Sequence, residues 1–396
     1  MVTMMTIVTG KRKLARPWVF LLVVLMGPAA AFGFDRAAIH ADRLGPSRPA
    51  VNPDTTPLAK DQIGFTATDI ADIPISESVS PARFYQTHCA ILSQTCGDWL
   101  TVWEDGREGK TAIFMQILDS AGVPQGENRL VASSTTGADY VDPLLACDTA
   151  GRTFLFYRDR TQGLVYGSVF EDYHVPPTHK FLVNNTDPDA YAGPYDFAVY
   201  PNGRIVVVWE NYSVMGSTIE LKMYSADGGV FLPQITVNTD GGAVDHWVPS
   251  VALNPASGFI VTWEDYRHRR ADIFLRPYNG GGVPFGPEQI IVPPPANLAD
   301  QYAPVAVFSA ADKFLVGWID RRIGQEPYRQ RFDLTLGMLG GNEPIYHADI
   351  GTICWDLDLA VSPGRRFAAS WAALGWKNEI LAQRFGENAE LVGPPV

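Results

Sequence analysis

Apolar runs that end in Trp or Tyr and give way at once to a charged turn recur six times along this chain. The closing aromatics are Trp103, Tyr157, Trp209, Trp263, Trp318 and Trp371, at successive gaps of 54, 52, 54, 55 and 53 residues. Even spacing over most of a chain predicts stacked or radially arranged units of one design. The fourth copy shows the unit most clearly. Ser250 to Leu253 is apolar, Asn254, Pro255, Ser257 and Gly258 supply a turn, and Phe259 to Trp263 resumes the apolar run. Glu264 to Ala271 is polar and charged, Ile273 to Tyr278 alternates as a strand does, Asn279 to Gly282 is a glycine turn, and Gln289 to Val292 ends the unit. Four short strands, with no amphipathic helical stretch between units, is the content of a propeller blade.

The other copies follow the same plan, with third strands predicted to begin at Ile113, Val165, Ile219, Ile273, Pro327 and Ile380. The expected fold is therefore all-β, a six-bladed β-propeller over residues 79–396 with four antiparallel strands per blade. A four-stranded sheet cannot bury both faces alone, so the closing aromatics are expected first of all as core residues between blades. The sixth copy is degenerate, with Ala373 where the others carry Asp or Asn, as suits a terminal repeat. Residues 32–78 read as a leader rich in Pro, Asp and Ala, in which Ile63 to Ile75 could add a ring-closing strand. A seven-bladed ring built with that segment is the alternative.

The first residues alter the compartment. Lys11, Arg12, Lys13 and Arg16 precede an apolar stretch, Trp18 to Met26, and Ala29, Ala30 and Ala31 follow as small residues. These are the three parts of a secretory signal, with cleavage expected after Ala31 and a secreted, periplasmic or cell-surface destination. The apolar stretch is shorter than the roughly 20 residues of a spanning helix, so no membrane insertion is expected after cleavage. Removing the signal takes away 4 of the 31 Lys and Arg and none of the 43 Asp and Glu, which deepens the formal charge from −12 to −16. A chain this acidic argues against nucleic acid as a partner and suits an extracellular protein or glycan. A monomer is expected. Of the four cysteines, Cys89 and Cys96 stand seven apart and are expected to bridge a hairpin, whereas Cys147 and Cys354 fall in copies that a ring of six does not make neighbours.

Trp-Glu-Asp-Tyr-Arg at 263–267, followed by Ala-Asp-Ile-Phe at 271–274, resembles the blade motif Trp-x-Asp-x-Arg, then Asp-Ile-Tyr, of secreted and surface bacterial or archaeal propeller-repeat proteins. Trp103, Asp105 and Arg107 match it, as do Trp318, Asp320 and Arg322; Tyr157, Asp159 and Thr161 match in part, and Trp209, Asn211 and Ser213 depart further. The resemblance covers about 320 residues. It implies the propeller fold and is nearly silent on activity.

Propeller topology brings the loop leading into each innermost strand onto the same face as the turn after each anchor. That face is expected to gather Asp105, Arg107, Asp245, Trp247, Glu264, Asp265, Arg267, Tyr302, Asp320 and Arg322 as a ligand-binding surface. An Asp two residues after the anchor and an Arg four after it, repeated three times, equally suits a structural salt bridge; Trp247 and Tyr302 occur once and carry more functional weight. No Gly-x-Ser-x-Gly elbow, His-Glu-x-x-His pattern or phosphate-binding glycine loop occurs, so no catalytic residue, metal or cofactor is assigned. Sialidase-like use of Arg107, Arg267 and Arg322, with Tyr302 and Glu264 for the displacement, lacks the sialidase signatures. The expectation is a non-catalytic binding scaffold. The alternative is a carbohydrate-active enzyme, a glycoside hydrolase or polysaccharide lyase, working on the same face.

Overall fold

The computed structural model describes Val2–Thr3 and Val24–Leu25, paired as a short antiparallel ladder, and residues 86–396 apart from 95, 135–136, 185–189, 214–215, 242–243, 255, 294–297, 363 and 376–377. The remainder of the expected signal segment and the leader lie outside the described residues. From Gln86 onward the chain forms six four-stranded antiparallel sheets, each built from strands consecutive in sequence and none helical. This is a six-bladed β-propeller. The innermost strands are Gln86–Ser93, Tyr140–Cys147, Tyr191–Val199, His246–Leu253, Gln301–Ala310 and Ile353–Val361, heading blades 1 to 6. No helix among the described residues is long and apolar enough to cross a membrane.

Burial explains the hydrophobic pattern strand by strand. The second strand of each blade is covered on both faces by its neighbours, so it reads as an unbroken apolar run. Phe259–Asp265 is buried at every position, whereas the outermost strand of blade 3, Val230–Thr236, is buried at none. Each anchor from blade 2 onward packs on the blade before it. Tyr157 joins Leu100, Val102 and Ile113 of blade 1; Trp209 joins Phe154, Phe156 and Val169 of blade 2. Trp263 lies with Val206, Val208 and Leu221, Trp318 with Ile260, Ile273 and Leu275, and Trp371 with Leu315 and Ile319. Trp103, with no blade before it in sequence, clusters among the described residues with Ala112, Phe114 and Cys89 of its own blade.

One strand boundary differs from expectation for a local reason. The innermost strand of blade 4 begins at His246, not Ser250, because the Pro-bearing stretch that resembles a loop is a β-bulge inside the strand. His246 and Trp247 pair with Asp265 and Glu264, the register slips, and Ser250 resumes opposite Thr262. The same slip occurs in all six innermost strands. Proline has no N–H for the ladder, so a bulge is where a strand can hold Pro143, Pro249 or Pro304.

The expected Cys89–Cys96 disulfide is not formed. Cys96 sits in the hairpin turn closed by Gln94 and Asp98, with its Sγ 3.0 Å from the Tyr173 hydroxyl. Cys89 lies five residues below the turn, packed beside Trp103. At about 3.3 Å per strand residue that separation exceeds the ~7 Å Cα limit for a bridge. Cys147 and Cys354, whose thiols burial pushes up to about 11 and about 12, belong to different interblade cores and are not bridged either.

Trp263 is 0% exposed. Trp263→Ala is expected to cost about 3–5 kcal/mol in urea unfolding, against under about 0.5 kcal/mol for Met338→Ala on an exposed outer strand.

Candidate functional site

The repeated Trp-x-Asp-x-Arg motif builds an internal brace. In blade 4 the Trp263 indole N–H donates to Asp265 Oδ2 at 3.0 Å, and the Arg267 main-chain N–H donates to Oδ1 at 3.0 Å. The Arg267 guanidinium then closes on both carboxylate oxygens, at 2.8 and 2.6 Å. Blades 1 and 5 repeat the indole bond with Trp103–Asp105 at 3.0 Å and Trp318–Asp320 at 2.9 Å, and Arg107 and Arg322 reach these aspartates at 2.7 and 2.6 Å. Asp105, Asp265 and Asp320 are all 0% exposed. The three arginines thus close on separate carboxylates in separate blades rather than on one shared ligand. Burial alone would raise an aspartate, yet the hydrogen bonds from Arg107 and Trp103 hold the Asp105 carboxyl, and those from His246 and Arg267 the Asp265 carboxyl, below the usual range.

The leading loops do share a face with the post-anchor turns. The carbonyls of Asp139, Asp245 and Asp300 accept the N–H groups of Arg160, Tyr266 and Arg321. Asp139 and Asp300 also tie blades together, since Thr111 N and Ala271 N donate to their Oδ1 atoms at 3.1 Å each.

Nearer the axis, the bulges create a demand. At Asp142, Val248 and Ala303 the chain takes φ of 56°, 50° and 49°, which turns each N–H out of its own ladder. A buried N–H must find an acceptor. It comes from the preceding blade, from the residue just after the anchor. Glu104 Oε1 accepts Asp142 N at 2.8 Å, Glu210 Oε2 accepts Val248 N at 3.4 Å, and Glu264 Oε1 accepts Ala303 N at 2.7 Å. In blade 2 that position is Arg158, which bonds Asp142 Oδ2 at 2.7 Å and the Ala192 carbonyl at 3.3 Å.

Glu210 differs from its counterparts. It is 0% exposed, and its Oε1 has no hydrogen-bond partner among the described residues. Burial raises its pKa to about 8, with the neighbouring Glu264 charge acting in the same direction and the Tyr212 and Val248 hydrogen bonds and Arg158 opposing. The carboxyl therefore holds a proton at neutral pH. Gly193 is needed beneath it, because a Cβ there would lie 2.7 Å from the Tyr212 ring and 3.2 Å from Glu210 Cδ. Glu264 receives the Tyr266 hydroxyl at 3.2 Å, the Tyr266 ring packs on Trp247 at 4.4 Å, and Tyr302 donates to Asp300 Oδ2 at 2.9 Å. Trp247 and Tyr302 are only 7% and 8% exposed.

Of the residues expected on this face, Trp247, Glu264 and Tyr302 are brought together around Tyr266, while the Asp–Arg pairs of blades 1, 4 and 5 are not. The sequence reading missed Glu104, Glu210, Asp142 and Arg158. The available signal was the residue after each anchor: Glu, Arg, Glu, Glu, Ile and Ala in order, a position that varies between copies while the anchors hold.

No protein-family model matches this chain, and no curated protein does. Solved structures do. An α-L-arabinofuranosidase of Fusarium graminearum, bound to an iminosugar inhibitor, superposes with a TM-score of 0.51 at 10% identity over 76% of this chain and 92% of that one. An α-L-arabinanase of Penicillium chrysogenum bound to arabinobiose gives 0.48 at 12% identity, covering 78% and 94%. The NanB sialidase of Streptococcus pneumoniae gives 0.45 at 9%, covering 72% and 65%. At these identities the likeness is one of fold.

Among the described residues, two side-chain groups offer metal-ligand atoms close together: His88, Glu104 and Asp142, and Asp240, His246 and Asp265. Each already carries a compensating cation. Arg158 bonds Asp142, and Arg267 bonds Asp265. In the second group His246 Nε2 lies 3.0 Å from Asp240 and 3.3 Å from Asp265. Burial pushes the His246 pKa down, but Asp265 and Asp240 outweigh it and leave the imidazole raised above 6.5. Its charged form therefore stabilises the fold fully below about pH 6.5, and that stability is lost as pH rises through the raised value. The Asp265 contribution runs the other way, present above about pH 3.8 and lost on acidification. Urea unfolding from pH 5 to 9 is expected to show a decline to which His246 and the raised Glu210 carboxyl both contribute, so that His246→Gln reduces it and His246→Gln with Glu210→Gln flattens it.

Asp320→Ala is expected to cost about 2–3 kcal/mol, because it strips the buried Trp318 N–H and the Arg322 guanidinium of their shared acceptor.

Proposed function

We propose that this propeller is a carbohydrate-active enzyme, a glycoside hydrolase whose proton donor is Glu210 and whose second carboxyl is Glu264. The observation that carries the reading is the placement of Glu210, a wholly buried carboxyl whose Oε1 has no hydrogen-bond partner among the described residues and whose pKa burial pushes up to about 8. Glycoside hydrolysis needs one carboxylic acid to protonate the departing oxygen and a second carboxyl to act on the sugar or on water. Tyr266, half-buried and backed by the covered rings of Trp247 and Tyr302, adds an aromatic surface beside Glu264 of the kind on which a sugar ring stacks. That an α-L-arabinofuranosidase shares the fold agrees with this substrate class.

A non-catalytic glycan-binding scaffold is the second reading. It is favoured by the structural employment of the same carboxyls, since Glu210 and Glu264 each accept a bulge N–H, as Glu104 does. A screen of plant and bacterial polysaccharides for reducing-sugar release, alongside absorbance of unsaturated uronates, separates the two. Hydrolysis lowered at least about a hundredfold in Glu210→Gln, with melting temperature held, supports the enzyme. The wild-type rate is expected to fall as pH rises through about 8, where Glu210 loses its proton, and Glu210→Gln to lack that limb. Glycan retention without release of either product would establish the scaffold instead.

A further inference from the structure

Blades 1, 4 and 5 each close a guanidinium into an equivalent slot. Arg107 lies over Phe114 at 4.3 Å from the ring centroid, Arg267 over Phe274 at 4.3 Å and Arg322 over Tyr328 at 4.4 Å. In each case the ring belongs to the third-strand residue paired with the anchor Trp, and the anchor stacks on it at 6.3, 6.0 and 6.3 Å. The aspartate two residues after the anchor completes the slot.

Blade 2 keeps three of these four parts. Its anchor Tyr157 pairs with Tyr166, the two rings stack at 5.6 Å, and Asp159 is 1% exposed. The fourth part is missing, because Thr161 stands where the arginine would be. Two independent consequences follow. Asp159 Oδ1 accepts the N–H groups of Thr161 and Gln162 at 2.8 and 3.1 Å, but no guanidinium of the described residues pairs with this carboxylate as Arg107, Arg267 and Arg322 pair with theirs. And a cavity of about 510 Å³ opens between blades 1 and 2, lined by Tyr140, Tyr157, Tyr166 and Lys180 together with outer-strand residues of both blades. Tyr140 packs edge-on to Tyr157 at 5.3 Å and to Tyr166 at 6.1 Å, so three rings face one space. Burial raises the Tyr140 and Tyr166 hydroxyls, and the Asp159 charge raises both further, which places its field at the cavity wall.

We infer that this slot binds a guanidinium group from outside the chain, the side chain of an arginine either free or within a peptide. The protein's own blades show the chemistry of the missing part: a planar cation that lies flat on the third-strand ring and bonds the aspartate through its edge. A guanidinium stacks and forks in this way, whereas a compact, strongly hydrated ammonium does not. Lys180 is exposed at the mouth, where its like charge weakens binding without blocking it. The site is separate from Glu210 and Glu264, so it stands or falls apart from the hydrolase reading.

The test is titration of the purified full-length protein with methylguanidinium, followed by calorimetry and by the tyrosine ring resonances. Methylammonium and the neutral isostere methylurea serve as controls. Saturable methylguanidinium binding is expected at about 1–10 mM, with both controls at least about tenfold weaker. Asp159→Asn should weaken binding about tenfold or more. Thr161→Arg, which restores the pattern of the other blades, should abolish binding and raise the melting temperature. Lys180→Ala should tighten binding. L-Arginine binding while a blocked Gly-Arg-Gly peptide does not identifies a free amino acid as the source; binding of both identifies a peptide or protein side chain. Absence of saturation, methylurea binding as tightly, binding that survives Thr161→Arg, or weakening in Lys180→Ala, as an anionic ligand would give, overturns the proposal.

Discussion

Each four-stranded sheet of this protein has two apolar faces and no means of covering them except a neighbouring blade. The anchors from Trp209 to Trp371 are fully buried against the preceding blade, and each removes on the order of 150–250 Å² of ring from water. That seal sets the remaining geometry. It forces the second strand to be apolar on both sides and leaves the outermost strands to meet solvent. It also brings the start of each innermost strand against the end of the second strand of the blade before.

At that junction a backbone need becomes a side-chain arrangement. Bulges at the X-Pro steps turn N–H groups toward the previous blade, and glutamates one residue after the anchor answer them. Carboxylates are thereby drawn into buried ground where water cannot help them. Glu104 is compensated by His88 and Thr87, and Glu264 by the Tyr266 hydroxyl, whereas Glu210 retains an oxygen with no partner among the described residues. The functional reading grows from that imbalance. Repetition acts as an internal control here, since what recurs in blades 1, 4 and 5 is brace, and what departs in one blade is where binding or chemistry can enter.

The departures were only partly legible beforehand. Trp247 and Tyr302 stood out as single-copy aromatics, and the fold places both beside Glu264, though nearly covered by their surroundings. The Asp–Arg pairs stood out through repetition, and their roles could be decided only by seeing the indole N–H of the same blade aimed at each carboxylate. Glu210 escaped notice because Trp-Glu recurs in three blades, and nothing in the letters distinguishes a carboxyl with both oxygens engaged from one with a single oxygen engaged. Cys89 and Cys96 misled because closeness in sequence was taken for closeness in space, while an extended strand carries the chain apart with every residue.

The spacing of aromatic anchors and the two-sided apolar runs determined the blade count, the strand content and the face shared by leading loops and post-anchor turns, because these follow from periodicity and from the need to bury both faces of a sheet. Tertiary structure alone decided which carboxyls are satisfied, which arginines are locked to their own blade, and that Thr161 leaves a slot beside Tyr166 and Asp159. Those outcomes depend on atoms from adjacent blades meeting within about 3 Å, the range over which hydrogen bonds act, and residues some fifty positions apart in sequence come that close only when the ring is assembled.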